Sequence, residues 1–506
     1  MTHHSPKSRT SDSARPAPPC RAEQPCIVPA LLRRAPALAL AIATVLAGCA
    51  QTPVMKPSVA VPAQFAAPAD AVTEPEVAWW ESYGDPVLSD LVRRAAHENR
   101  DIKIAAERVC AARAGETISR SWLFPSIGLN GRASDSNSGY DAATRQLIMD
   151  TKSASAGLDV SWEIDISGRL RAGARAAAAD TVAAEDGERA VRLLVMTDVA
   201  TNYFTLVGAL RQIDTVRAIA AAHDETVRLV MARQRAGLAT PFDVERAQTD
   251  AARAHAAIPP LETLAAVSRH RIAVLIGDQA VNAARIVPTN ADIDAPPTRP
   301  GQPAELLERR PDLLALGAQL TAANERRQQA KAEWFPRLFL GALFGSENVE
   351  INGVGMGSAR FTSAAALLTM PLFNAGRTRS INEIAEANQK EALLRYEDGI
   401  VRALEDVENS LVALDQERQR SRDLQSASKT AEAALGRAQS LYDRGQIDLL
   451  PLLDAQRARL AVRVGANDSR TQQLLDSVQL YKSLGGGWQA FEPQPASAAS
   501  APTPKS

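Results

Sequence analysis

Aromatic side chains make up only 4% of this sequence, and histidine and cysteine are scarcer still, at six and four residues. So few large rings argue against a broad globular core and favour helices packed through small contact residues. His3, His4, His97, His223, His255 and His270 are scattered, and none is placed as a ligand or a base. The cysteines show no metal-ligand spacing. Cys110 stands alone on a helical pattern and is expected to be a small buried residue. The net charge is −1, which excludes a broad electrostatic attraction to nucleic acid. The chain also lacks a nucleophile–base pairing, a phosphate loop and any metal or cofactor motif, so no enzyme activity is expected. Its one apolar run near the N-terminus, Ala35–Val45, is too short to span a bilayer.

What is present is a duplication. Gly168 and Gly376, Gly237 and Gly445, Gln248 and Gln456, and Gly277 and Gly485 are each separated by 208 positions. Phe124-Pro125 matches Phe335-Pro336 at a slightly larger offset. The most informative copies are Arg235-Ala-Gly-Leu-Ala-Thr-Pro-Phe-Asp and Asp443-Arg-Gly-Gln-Ile-Asp-Leu-Leu-Pro, each a glycine break between two helical patterns. Gly237 and Gly445 suit the left-handed position that ends a helix. Thr240 and Asp448 are N-cap candidates, and Pro241 fits a first-turn position. Each half therefore reads helix, strand, strand, very long helix, glycine turn, helix.

Taken in order, residues 1–48 read as a leader ending in a secretory signal. Arg33-Arg34 precede the apolar run, and Leu46-Ala-Gly-Cys49 follows it. Residues 49–78 are an extended Pro/Ala-rich tether, 79–278 the first repeat, 279–303 a linker, 304–488 the second repeat and 489–506 a disordered tail. From Pro86 to about Arg120, Leu88, Leu91, Val92, Ala95, Ile102, Ala105 and Val109 recur at helical spacing.

After Trp122-Leu-Phe-Pro125 the period becomes two. Leu158, Val160, Trp162 and Ile164 face one side, and Asp159, Ser161, Glu163 and Asp165 the other. An acidic strand face suits a solvated sheet or a water-filled barrel lumen. A second strand pair runs from Leu338 and returns through Phe361 to Leu372, with polar loops expected at about 135–152 and 345–360. Four strands cannot close a barrel in lipid, because open edges are not tolerated there. Three chains would supply twelve. Beyond Gly168 and Gly376, proline-free helical patterns run to the two glycine turns, each roughly 69 residues and about 100 Å long. Heptad spacing in Val199, Leu206, Ile213, Ala220 and Val227, and in Asn202, Ala209, Val216, His223 and Val230, predicts lateral coiled-coil packing.

The repeated helix–strand–strand–helix plan, the Leu-Ala-Gly-Cys49 lipobox, the Gly-Arg after each strand pair and the paired glycine hairpins resemble the TolC/OprM outer-membrane factors. The closest subset resembles the NodT-type efflux lipoproteins of tripartite, RND-type export systems. The resemblance implies an α+β membrane protein: a homotrimer with a long α-helical coiled-coil barrel in the periplasm and one shared 12-stranded β-barrel in the outer-membrane lipid. It implies passive small-molecule export, with a periplasmic adaptor (membrane fusion protein) and an inner-membrane transporter as partners. Alternatives are the outer channel of a type I protein-secretion system and a non-conducting envelope scaffold. By residue, the resemblance implies an acylated Cys49. It also implies adaptor-docking tips at Arg235, Gly237, Leu238, Arg444, Gly445, Gln446 and Asp448. A periplasmic gate ring is carried over to Glu432 first, then Asp224 with neighbouring Glu225. Lys429 and Arg437 are close enough in sequence to pair with Glu432. Asp159, Glu163 and Asp165 would line the barrel lumen.

Overall fold

The computed structural model describes residues 55–67, 77–137, 139, 141, 144, 150–289, 293–297 and 300–492. The expected leader, Cys49 and the last residues of the tail lie outside the described residues. The first repeat holds α1 (Pro86–Glu98), α2 (Arg100–Ser121), β1 (Ser126–Ser136), β2 (Thr151–Ile164), α3 (Arg169–Arg235), α4 (Pro241–Ala256) and α5 (Ile258–Leu275). The second holds α6 (Leu306–Arg309), α7 (Pro311–Ala332), β3 (Arg337–Ile351), β4 (Val354–Thr369), α8 (Arg377–Asp443) and α9 (Leu449–Ser483). The strands form one antiparallel sheet in the order β1-β2-β3-β4.

The helical pattern predicted from Pro86 is two helices, because Asn99 adopts an extended conformation between them. Its side chain caps α2 by accepting from the Asp101 and Ile102 amides, and it donates to the Leu275 carbonyl at 2.8 Å. In the second repeat Arg310 takes the same place ahead of α7 and donates to the Ser483 carbonyl at 3.1 Å. Thus the end of each return helix is tied to the start of its own repeat. Asp85 caps α1 and also accepts from Tyr203 Oη and Thr289 Oγ1, so one buried carboxylate joins α1, α3 and the linker.

The largest aromatic cluster lies beside the junction of the two repeats. Trp79 stacks on Tyr481 at 5.2 Å and Trp80 on Phe491 at 5.5 Å, beside buried Tyr83, Tyr203 and Phe204. This cluster also takes in Met196, Leu206, Ile272 and Val478, so it binds both repeats into one core. Elsewhere the helices meet mainly through alanine and aliphatic residues, with Tyr442 in the tip core. The tether contributes too: the Ser58 amide and hydroxyl donate to Glu397, and the Ala66 and Ala67 amides donate to Glu408, both on α8.

Four further details differ from the sequence reading. Each long helix has 67 residues. The first return path is split between α4 and α5 at Ala257, just before Pro259-Pro260, whereas α9 is continuous. Residues 345–360 are not a loop: β3 and β4 run through them and meet at Asn352-Gly353, both at positive φ, the residue pair that favours a tight hairpin turn. Finally, Cys110 is exposed. The face of α2 that packs inward carries Ile102, Ala105 and Val109, and Cys110 is turned away from it.

Candidate functional site: a channel wall, an entrance and two tips

The sheet register sorts the strands into two chemically distinct faces. Leu129, Leu158 and Phe344 form one cross-strand row, and Ile127, Val160 and Ala342 the next. Such an apolar face matches lipid. The opposite face carries Ser126 against Ser161, and Asn130, whose amide donates to Asp159 at 2.6 Å. Within the described residues the outer edges of β1 and β4 have no strand partner. Exposed edges of this length demand pairing, and the antiparallel order lets β4 of one protomer meet β1 of the next.

The three carboxylates predicted for the lumen do not share one environment. Asp159 lies on the polar face of β2. Glu163, near the end of the same strand, is gripped by Arg169 at 2.7 and 2.8 Å, and Arg169 also approaches Glu333. Glu333 in turn pairs with Arg337. Asp165 falls just beyond the strand and accepts from the Arg171 amide and guanidinium. Arginines of the first turn of α3 thus hold the sheet onto the helical part. Glu333 and Arg337 escaped sequence reasoning because they belong to the other repeat.

The entrance candidates lie on exposed helix faces. Asp224 meets His255 of α4 at 3.0 Å, and Glu225 pairs with Arg228. Glu432 is paired neither with Lys429 nor with Arg437 in the structure. Its partners are Arg459 at 2.7 Å and Arg463 at 3.6 Å. Both come from α9, which packs antiparallel along α8, and sequence proximity could not identify them.

The tips are near copies. Leu238 N donates to the Arg233 carbonyl and Gln446 N to the Leu441 carbonyl, each at 2.9 Å. These are the six-to-one bonds of a helix closed by a left-handed glycine, and Gly237 and Gly445 have φ of +76° and +69°. Arg235, Leu238, Arg444, Gln446 and Asp448 are all exposed. The N-caps differ. Thr240 forms a reciprocal capping box with Asp243, and Thr240's amide and hydroxyl hold the Asp243 carboxyl below its ordinary pKa. Asp448 occupies the N-cap position without a side-chain cap bond. Below the surface the two tips are one unit. Val230, Val244, Tyr442, Leu449, Leu452 and Leu453 share a core, and Arg233 lies 4.0 Å over the Tyr442 ring. Leu238 and Phe242 project into solvent beside it.

A sheet with open edges and a lipid-type face, set on helices long enough to cross a wide aqueous space, defines an outer-membrane channel protomer. The comparisons agree. The outer membrane efflux protein family matches residues 91–278 and 303–486, and the chain belongs to that family. It is 33% identical over 424 residues to the pyoverdine export outer membrane protein OpmQ of Pseudomonas aeruginosa, covering 81% of this chain and 88% of that protein. It is 30% identical over 437 residues to the toluene efflux pump outer membrane protein TtgF of Pseudomonas putida, covering 84% and 88%. Among solved structures, the outer-membrane channel OprN superposes with a TM-score of 0.77 at 27% identity, covering 86% of this chain and 100% of that one. The protein is therefore a trimeric outer-membrane channel of a tripartite efflux system, with its barrel in the outer membrane and its helices in the periplasm.

Proposed function

We propose that this channel is a lipid-anchored exit duct for small toxic or metal-chelating molecules, acylated at Cys49 and recruited by a periplasmic adaptor through its paired hairpin tips. The single observation that carries the adaptor reading is the tip pair: two matched glycine turns over one shared core, with exposed Leu238 and Phe242 at the end of a rigid rod. A fixed, partly apolar surface of this kind suits a helical-hairpin partner. The cargo class rests on relatives whose names record pyoverdine and toluene export. An inner-membrane transporter supplies the energy, and the duct itself is passive.

The test is complementation of a strain lacking this chain, scored by accumulation of a fluorescent dye and by survival in toluene. Wild type restores both. Restored secretion of a protein with no change in dye accumulation would favour the protein-secretion alternative. For the anchor, Cys49→Ser is expected to abolish labelling by radioactive palmitate. Finding the leader still attached to wild-type protein would overturn that part.

A further inference from the structure

We infer that residues 55–67 are an intramolecular peptide ligand, and that the groove they fill on α7 and α8 is a recognition site for an extended peptide. The two repeats differ at this place. In the first, the 13-residue helix α1 packs on α3, and Leu88, Leu91, Val92 and Ala95 share a core with Val195, Val199, Tyr203 and Leu206. The positions 208 further on are Ala403, Val407, Leu411 and Leu414 of α8, and all four are buried. The second repeat has no counterpart of α1 ahead of α7. Its four-residue α6 supplies only Leu306 to the same cluster. The N-terminal segment covers the remainder. Phe65 and Ala67 pack against the cluster of Val407, Leu411 and Leu414, and Val59 and Val61 against that of Leu313, Ile400 and Ala403.

The recognition has a definite chemistry. Val59, Val61, Phe65 and Ala67 are half-buried, and their even-numbered neighbours are exposed, the period of an extended chain laid with one face on a surface. Pro57 and Pro62 favour an extended conformation in the residue before each. Two carboxylates of α8 hold the backbone. Glu397 accepts from the Ser58 amide at 2.8 Å and its hydroxyl at 2.9 Å. Glu408 accepts from the consecutive Ala66 and Ala67 amides at 2.7 and 3.0 Å. Eleven positions apart, about three helical turns, the two glutamates lie on one face of α8 and fix both ends of the segment. The Ser58 amide, with its hydroxyl, holds the Glu397 carboxyl below its ordinary pKa. Main-chain donors to a carboxylate are charge-assisted and carry no side-chain preference. The groove therefore selects an extended backbone with apolar residues at alternate positions. The inference does not require the export reading.

The experiment uses full-length trimer in detergent, a synthetic peptide of residues 55–67 as the probe, and hydrogen exchange read by mass spectrometry. In wild type the 55–67 segment is expected to be protected. Glu397→Ala with Glu408→Ala should speed its exchange at least about tenfold, with trimer size unchanged by sedimentation. Val59→Ser with Val61→Ser and Phe65→Ser should vacate the groove and speed exchange in α8 around residues 407–414. Added peptide should then bind with one site per protomer and Kd below about 1 mM, and restore that protection. Wild type, whose groove is filled, should bind the peptide at least about tenfold more weakly. If the triple variant does not assemble, Phe65→Ser serves the same purpose. Unchanged exchange of the segment in the double variant would overturn the inference. So would equal peptide binding by wild type and an assembled vacated variant, or no binding by the latter at millimolar peptide.

Discussion

Asp250 of α4 and Arg457 of α9 meet through both oxygens of the carboxylate, with four N···O distances between 2.8 and 3.2 Å. They come from different repeats, and their burial is unequal: the Asp250 side chain is 4% exposed, the Arg457 side chain 40%. The two single substitutions are therefore not equivalent. Arg457→Met strands a buried carboxylate and should destabilise the helical end by about 3–5 kcal/mol. Asp250→Asn leaves a guanidinium that can turn to water, and should cost nearer about 1–2 kcal/mol. Amide exchange protection along α4 and α9 measures both. Equal losses would mean that the unequal burial is irrelevant.

The tips respond to backbone conformation alone. Nothing lies within 4 Å of a Cβ added at Gly237 or Gly445, so a valine there meets no neighbour. It does have to adopt positive φ, with strain of about 1–3 kcal/mol. Gly237→Val and Gly445→Val should reduce dye efflux while trimer yield in the outer membrane stays normal. Unchanged efflux in both would count against docking at the tips.

The entrance carboxylates carry a prediction in two directions. Three-fold symmetry would bring Glu432 and Asp224 from three protomers towards one axis, where like charges attract cations into a narrow throat. Bilayer conductance of purified trimers should be blocked by trivalent cations added on the periplasmic side, and Glu432→Ala with Asp224→Ala should lose most of that block. Arg459 lies 2.7 Å from Glu432, so Arg459→Gln should tighten the block instead. Identical block in all three proteins would place these residues on a merely solvated face.

His223 makes the helical end sensitive to acid. Burial is the main cause that pushes its pKa below the ordinary histidine value; Arg457 adds to this, while Asp250 and Asp224 oppose it. A base with a depressed pKa keeps its full contribution above the unfolded value of about 6.5, and loses it as pH falls, because the unfolded chain takes up the proton first. Unfolding midpoints should therefore drop between about pH 7.5 and about pH 5 more in wild type than in His223→Leu. A larger drop in the variant would reverse the assignment.

The sequence by itself determined the features that depend on local geometry. Positive φ at a helix end calls for glycine, so Gly237 and Gly445 marked both tips, and the offset of 208 positions exposed the two repeats. Period-two alternation separated Leu158 and Val160 from Asp159. Heptad spacing placed Val199, Leu206, Val216 and Val230 in the coiled-coil interior, where they are buried. Asn352-Gly353 was equally readable as a tight turn, and the polar composition around it obscured the signal.

Tertiary structure alone decided which distant groups meet. Glu432 pairs with Arg459, which the antiparallel hairpin brings alongside it from 27 positions away in the chain. Asp165 lies just past the strand end, where its carboxylate accepts from the Arg171 amide and guanidinium. Cys110 is exposed because α2 presents only one stripe to its neighbour. The Glu432–Arg459 contact joins segments 27 positions apart, and no local period or propensity encodes it.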